Sequence, residues 1–409
     1  MSGYVTVNSA LRDILHLRMF GQSMIVLGSA EIIHQFLEKR AANTSNRKQS
    51  PMIELYKGLS AASILKVVYN IRIEDEKDPL VGMIEAAFEG VNEGVLPGRF
   101  LVEFMPFLRY VQPWIPGMQS PKLWEKWQSS ARKMANEPYM LTKAQMVSFE
   151  QGSASQSIVA NLLSRLSQSG EVLPPDEETI KGVGMVAFEA GTDTVFSTLQ
   201  AVFLAMSLYP EVLGKAHAEL DAVVGSHRLP DFSDRDSLVY INALNMEAMR
   251  WNVVLPLCMP HATTEDDELN GYFIPAGTVL MPATWACMQD PAVFENPDEF
   301  RPERFIRNGQ LDVTVRDPAA HIFGYGRRIC PGRYFAEAAM FINVASALHV
   351  FDITPPLGGD GKSIKVEYNM TDGHNSYPED VRCTVRPRSA AAEALILSYA
   401  SEAHAAMEQ

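Results

Sequence analysis

Nowhere in this 409-residue chain is there a run of about 20 apolar residues, so no segment reads as a membrane-spanning helix. The opening stretch, MSGYVTVNSALRDILHLRMFGQSMIVLGSA, also lacks the long apolar core of a signal peptide. Cysteine is scarce. The four residues Cys258, Cys287, Cys330 and Cys383 form no CxxC pair and no disulfide-framework spacing, which excludes a stapled secreted scaffold and points to a reducing compartment. Without a signal peptide, the sequon matches Asn43-Thr44-Ser45 and Asn369-Met370-Thr371 read as chance. Basic residues number 35 against 49 acidic ones, and the net charge of -14 argues against a nucleic-acid partner, which needs clustered Lys and Arg. No internal repeat, low-complexity linker or nucleotide-binding loop stands out.

What is present is the composition of a folded protein with ample core: 47% hydrophobic and 21% charged. Residues 14–28, ILHLRMFGQSMIVLG, gather β-branched and apolar residues around a Gly-Gln turn and predict a β-hairpin. Ala30 to Arg40 then reads as a helix. From Ser60 to about Leu166 the pattern is largely helical, with breaks predicted at Pro97-Gly98, Pro106, Pro113 to Gly117 and Pro138. The longest helical pattern begins after Pro174-Pro175, where Asp176, Glu177 and Glu178 suit the positive end of a helix dipole, and runs to Leu208 before Tyr209-Pro210. At 1.5 Å per residue it spans roughly 50 Å. Helices over Glu211–Val224 and Leu238–Trp251 follow, and Asn270-Gly271 and Pro275-Ala276-Gly277 supply turns for short strands over residues 261–281. The fold class is mainly α with small β-sheets. An Ala- and Glu-rich tail over residues 389–409 reads as a helical extension.

The sharpest chemical feature is the stretch Phe323 to Gly332, FGYGRRICPG. A thiolate persists near neutral pH only where cations, backbone N–H groups or a helix N-terminus stabilise it. Arg327 and Arg328 lie just before Cys330, and Gly324, Gly326 and Gly332 let the backbone turn sharply and approach a flat ligand. Pro331 suits the first position of the helix RYFAEAAMFINVASALHV, which would put Cys330 at its positive end. A buried structural cysteine is the plainer alternative, but it needs none of these neighbours.

The spacing Phe323, Gly326, Arg328, Cys330, Gly332 resembles the haem-binding loop of the cytochrome P-450 family, which implies Cys330 as axial thiolate ligand of the iron in haem b. Ala190-Gly191-Thr192-Asp193-Thr194, inside the long helix, resembles the family's oxygen-activation motif. Gly191 costs about 1 kcal/mol in a helix interior, and threonine hydroxyls there can bond back to the i−4 carbonyl. A small-residue packing patch is the alternative. The resemblance gives Asp193 and Thr194 a role in relaying protons over the distal face, and sets Ala190 and Gly191 in the substrate pocket. Glu247 and Arg250 share a helix face, where an ion pair is natural; Phe300-Arg301-Pro302-Glu303-Arg304-Phe305 resembles the family's PERF segment and adds Arg304 to a structural Glu–Arg–Arg network. By the same likeness Phe323, Gly326, Arg328, Gly332 and His261 hold haem, Arg328 and His261 through its propionates, and Val253, Val254, Leu255 and Leu257 line the substrate side.

The resemblance covers nearly the whole chain and implies a P-450-like domain over residues 1–388. Its texture is closest to the fungal branch acting on secondary metabolites and xenobiotics. The implied reaction is a haem-thiolate monooxygenase inserting one atom of O2 into a lipophilic small molecule, with electrons from NADPH through a flavoprotein reductase. Arg301, Arg304 and Arg307, with Arg327, Arg328 and Arg333, read either as ordinary solvated loop arginines or as a basic docking face for an acidic partner. Two departures count against completeness: there is no N-terminal anchor, and the helices bearing the family's Trp-xxx-Arg motif, a propionate donor, are missing near residue 59. The expected location is the cytoplasm, or a peripheral seat at the endoplasmic reticulum surface. An incomplete fold keeps a second function open, a non-catalytic or haem-deficient remnant. A third, a haem-thiolate isomerase or peroxygenase, is opposed by the intact Asp193-Thr194 pair.

Overall fold

The computed structural model describes residues 13–19, 22–47, 68–71, 120–148, 157–169 and 174–405. Two compact units are formed, one drawn from residues up to Arg47 and from Val195 onward, the other mainly from Lys48–Thr194. The first begins with the expected hairpin, β1 (Ile14–Met19) and β2 (Gln22–Leu27). Helix α1 (Ala30–Ile33) starts on Ser29, whose hydroxyl accepts from the Ile32 N–H. It does not continue as α-helix to Arg40: His34–Glu38 form a π-helical turn, followed by α2 (Ala41–Thr44). Ile32, Ile33, Phe36 and Leu37 are all buried, so the wider turn keeps one apolar face inward.

The second unit carries α3 (Ser120–Ser148), α4 (Ile158–Ser169) and the N-terminal part of α5 (Pro174–Leu208). The break expected at Pro138 does not occur, because α3 runs through it. Proline removes one backbone bond, but Tyr139 and Thr142 beside it are buried and Thr142 Oγ1 donates to Tyr69 O at 2.7 Å. Packing holds the turn that the proline weakens. Gly184 on α5 lets Val159 and Tyr69 come so near that a Cβ would meet Val159 Cγ2 at 2.7 Å. The breaks expected at Pro97-Gly98, Pro106 and Pro113 to Gly117, and the junction near residue 59, lie outside the described residues.

In the first unit α6 (Pro210–Val223) and α7 (Val239–Trp251) follow α5 as expected. Four short strands come next: β3 (His261–Ala262), β4 (Asp267–Leu269), β5 (Tyr272–Ile274) and β6 (Val279–Pro282). The wholly buried β6 is central in a sheet of order β1-β2-β6-β3, parallel to β2 and antiparallel to β3. Helix α8 (Thr284–Met288), the pair β7 (Ile306–Arg307) and β8 (Gln310–Leu311), and α9 (Ala319–Ile322) lead to α10 (Arg333–Val350). The chain ends with β9 (Phe351–Thr354) paired to β10 (Thr384–Pro387), then α11 (Ala390–Ala405).

Two hydrophobic clusters dominate this unit. One joins α5, α6, α7 and α10 through Val202, Met206, Leu220, Leu244, Trp251, Phe341 and Leu348; the other joins the hairpin sheet to Phe36, Leu37, Phe305 and Tyr325. Among the described residues no single helix is long and apolar enough to cross a membrane.

Candidate active site

The loop around Cys330 is held by its own backbone and by the start of the chain. Helix α9 stops at Phe323, and Gly324 (φ +83°) and Gly326 (φ +59°) take left-handed conformations that glycine adopts at little cost. The Cys330 N–H then donates to Phe323 O at 2.7 Å and closes the loop. Gly326 donates its N–H to the Glu38 carboxylate at 2.8 Å, and a Cβ on it would meet Leu37 O at 2.5 Å. The neighbour that excludes a side chain at Gly326 is therefore the π-helical turn, not a flat ligand. Gly332 does lie beside the sulfur, a Cβ there falling 3.8 Å from Cys330 Sγ. Pro331 is not the first helical residue: α10 begins at Arg333 with Gly332 as its cap, so Cys330 stands just ahead of the helix end. Cys330 is half-buried, as is Phe323.

Behind the loop, Glu247 and Arg250 on α7 are 0% exposed and joined by two bonds, Nε to Oε2 at 2.8 Å and Nη2 to Oε1 at 2.9 Å. Arg304 Nε reaches the same carboxylate at 3.1 Å, and the Arg301 N–H adds a fourth donor at 2.8 Å. The remaining guanidinium hydrogens go to carbonyls of Met288, Glu295 and Glu299. Buried charges of both signs are thus paired and bonded, the condition under which such a network is tolerated. This pairing also corrects the expected basic patch. Arg304 is buried in the network, Arg301 is paired with Glu295 and Arg307 with Asp312. Arg327 and Arg328 remain as exposed cations on the loop.

His261 is 1% exposed, and its Nδ1 lies 2.8 Å from Thr44 O. A carbonyl can only accept, so Nδ1 carries the proton; Nε2 is buried without a partner among the described residues. Burial first, and then the Arg47 cation, pull His261 down to a pKa of about 4, with Arg328 acting in the same sense. Arg328 Nε donates to Ser45 O at 2.9 Å. Arg47, which the sequence reading passed over, donates through Nη1 to Met259 O at 2.7 Å and Pro260 O at 2.5 Å. Nothing in its local sequence marks it, since its partners lie more than 200 residues away. Asn43 of the first sequon spends its amide on Glu265 O and Asp267.

In α5, Asp193 is buried and the Thr194 hydroxyl donates to Ala190 O at 2.7 Å, the back-bond expected of a mid-helix threonine. Ala190 and Gly191 lie within the same unbroken helix, and these four residues belong to the second unit. Of the candidate substrate-side residues, Val253 lines a cleft with Pro256, Trp285, Tyr368, Met370 and Ser376. Leu257 instead packs with Trp285 against β2 and β6, while Val254 and Leu255 are half-buried.

A model of the cytochrome P450 family matches residues 9–370. Cytochrome P450 monooxygenase 208 of Postia placenta is 39% identical over 364 residues, covering 89% of this chain and 68% of the relative. Cytochrome P450 monooxygenase COX2 of Coprinopsis cinerea is 33% identical over 446 residues, covering 94% and 84%. Tryptamine 4-monooxygenase of Psilocybe cyanescens is 37% identical over 331 residues, covering 80% and 64%. The family's cofactor, haem, fits what the first unit presents. Cys330 offers one sulfur beside Gly332, and the Arg47 and Arg328 cations beside buried His261 suit an anion such as a propionate, toward which Nε2 would donate once protonated. The chain belongs to the cytochrome P450 family, haem-dependent monooxygenases of mainly α fold that draw NADPH electrons through a reductase.

Proposed function

We propose that the chain inserts one oxygen atom of O2 into a lipophilic organic substrate, a fungal secondary metabolite or xenobiotic. The observation that carries this reading is the Cys330 loop: a half-buried cysteine with its N–H bonded, glycine beside its sulfur and cations close by. Phe323, Gly332, Arg328 and His261 hold haem with it, and Gly326 acts by docking the loop on Leu37. Bound through Cys330, haem supplies the activation of O2. The chain's own groups do the rest. Asp193 takes up a proton on its buried carboxylate and Thr194 Oγ1, its rotamer fixed by Ala190 O, hands it on. Val253, Val254, Leu255 and Leu257 are apolar, as a lipophilic ligand requires, while the small cleft beside Val253 also has the polar Thr371, Asp372 and Ser376 in its wall. A fungal relative named for tryptamine supports a small secondary metabolite as substrate. A flavoprotein reductase meets the face that carries Arg327, and peripheral contact with the endoplasmic reticulum surface belongs to the same reading.

A second reading, a chain that holds haem weakly or does not turn over, has support of its own. The alignment to the Coprinopsis relative runs over 446 positions, more than the 409 residues present here, as an internal loss of helices requires. Oxygen uptake and product formation with reductase, NADPH and lipophilic probe substrates separate the two. Thr194→Ala should keep haem and keep consuming oxygen while product per oxygen falls several-fold; unchanged coupling removes Thr194 from the relay. Stable haem with no oxygen uptake by the wild type favours the second reading.

A further inference from the structure

Of the residues from Phe323 to Gly332, Tyr325 alone is buried, at 2% exposure, while nearby Arg327 and Arg328 face solvent. Its backbone is extended (φ −136°, ψ 154°) between Gly324 (φ +83°) and Gly326 (φ +59°), both left-handed. Left-handed residues on either side reverse the chain twice, so one side chain turns inward from a loop that is otherwise half-buried or exposed. The ring joins the cluster of Phe36, Leu37 and Phe305. Its hydroxyl meets two side chains, Thr284 Oγ1 on α8 at 3.2 Å and His321 Nδ1 on α9 at 3.4 Å. Burial chiefly, with Arg316 and His34 acting in the same sense, pulls His321 down to a pKa of about 4. Neutral at pH 7, its Nδ1 can accept from the hydroxyl while Thr284 donates to it.

We propose that Tyr325 is the positioning residue of Cys330: its hydroxyl, tied to Thr284 and His321, fixes the loop against α8 and α9 and thereby sets the place of the sulfur. This rests on the reading of Cys330 as haem ligand. Phenylalanine would fill the same space with no polar atom to desolvate, so packing alone gives no reason for the hydroxyl. A bare ring can slide in its pocket, whereas a bonded hydroxyl holds one depth. Backbone bonds carry that hold to the sulfur. The Arg328 N–H donates to Tyr325 O and the Ile329 N–H to Gly326 O, both at 3.3 Å, and the Cys330 N–H donates to Phe323 O at 2.7 Å.

The test is the rate at which iodoacetamide alkylates Cys330 in the full-length haem-free protein, read at that residue by peptide mass spectrometry. Wild type, Tyr325→Phe and Thr284→Val are compared, with half-buried Cys383 as the control within each chain. Each variant should speed alkylation of Cys330 about fivefold, the effect of one buried hydrogen bond on local opening, and leave Cys383 unchanged. The double variant should be no faster than Tyr325→Phe alone, because both changes remove the same bond. In the haem-loaded proteins, mild urea should abolish the thiolate-type Soret band of the reduced, carbon monoxide-bound form faster in both variants than in wild type. An unchanged rate at Cys330 overturns the proposal, as does a Soret band lost at one common rate. So does an equal rise at Cys383, since Tyr325 then adds only to general stability. Rates that multiply in the double variant also overturn it, because the two side chains then act separately. A wild type that takes up no haem brings down the haem reading, while the alkylation rates still decide whether Tyr325 seats the loop.

Discussion

Glu247 faces two guanidinium groups inside the protein, itself and Arg250 both 0% exposed. Truncating one partner of such a group leaves the other charges buried and unpaired, at a cost of about 3–5 kcal/mol. Glu247→Gln should therefore lower the unfolding free energy measured in urea by that much or leave the chain insoluble, and a loss under about 1 kcal/mol would show the network to be dispensable. His261 acts through pH. Its folded pKa of about 4 lies below the 6.5 of a free imidazole, so the unfolded chain takes the proton first. Its contribution is complete above pH 6.5 and is lost as pH falls toward 4. Urea midpoints of the haem-free protein should fall across that window, and His261→Asn should flatten the slope; an unchanged slope contradicts the assignment. Glu247 and Arg250 could be read from a three-residue spacing, and Arg304 from a short segment. Arg47 could not, because folding alone brings it to carbonyls 212 and 213 residues away.

At the scale of elements, the loop and the π-helical turn are one packed unit. Two glycines test this. Gly326→Ala must accept a left-handed backbone and push its Cβ into Leu37 O, whereas Gly309→Ala, at φ +74°, meets nothing within 4 Å. Gly309→Ala should cost about 1–2 kcal/mol for conformation alone. Gly326→Ala should cost about 1–3 kcal/mol more from overpacking, read as a larger drop in Tm. Equal losses would mean that the loop is not seated on Leu37. The long helix was readable because prolines and acidic residues mark its ends and its length is continuous. The hairpin was readable from its turn and apolar strands. Pro138 misled because tertiary contacts at Tyr139 and Thr142 outweigh a local breaker, and the π-helical turn has no local signature at all.

For the whole molecule, family membership rests on a match over residues 9–370 and on fungal relatives such as the Postia and Coprinopsis monooxygenases. The chemistry rests on one sulfur. The most direct measurement is the reduced, carbon monoxide-bound difference spectrum of the full-length chain, wild type beside Cys330→Ala. A thiolate-type red-shifted Soret band in the wild type, absent in Cys330→Ala, is the predicted result. A wild type without haem, or a band that survives the loss of Cys330, contradicts it.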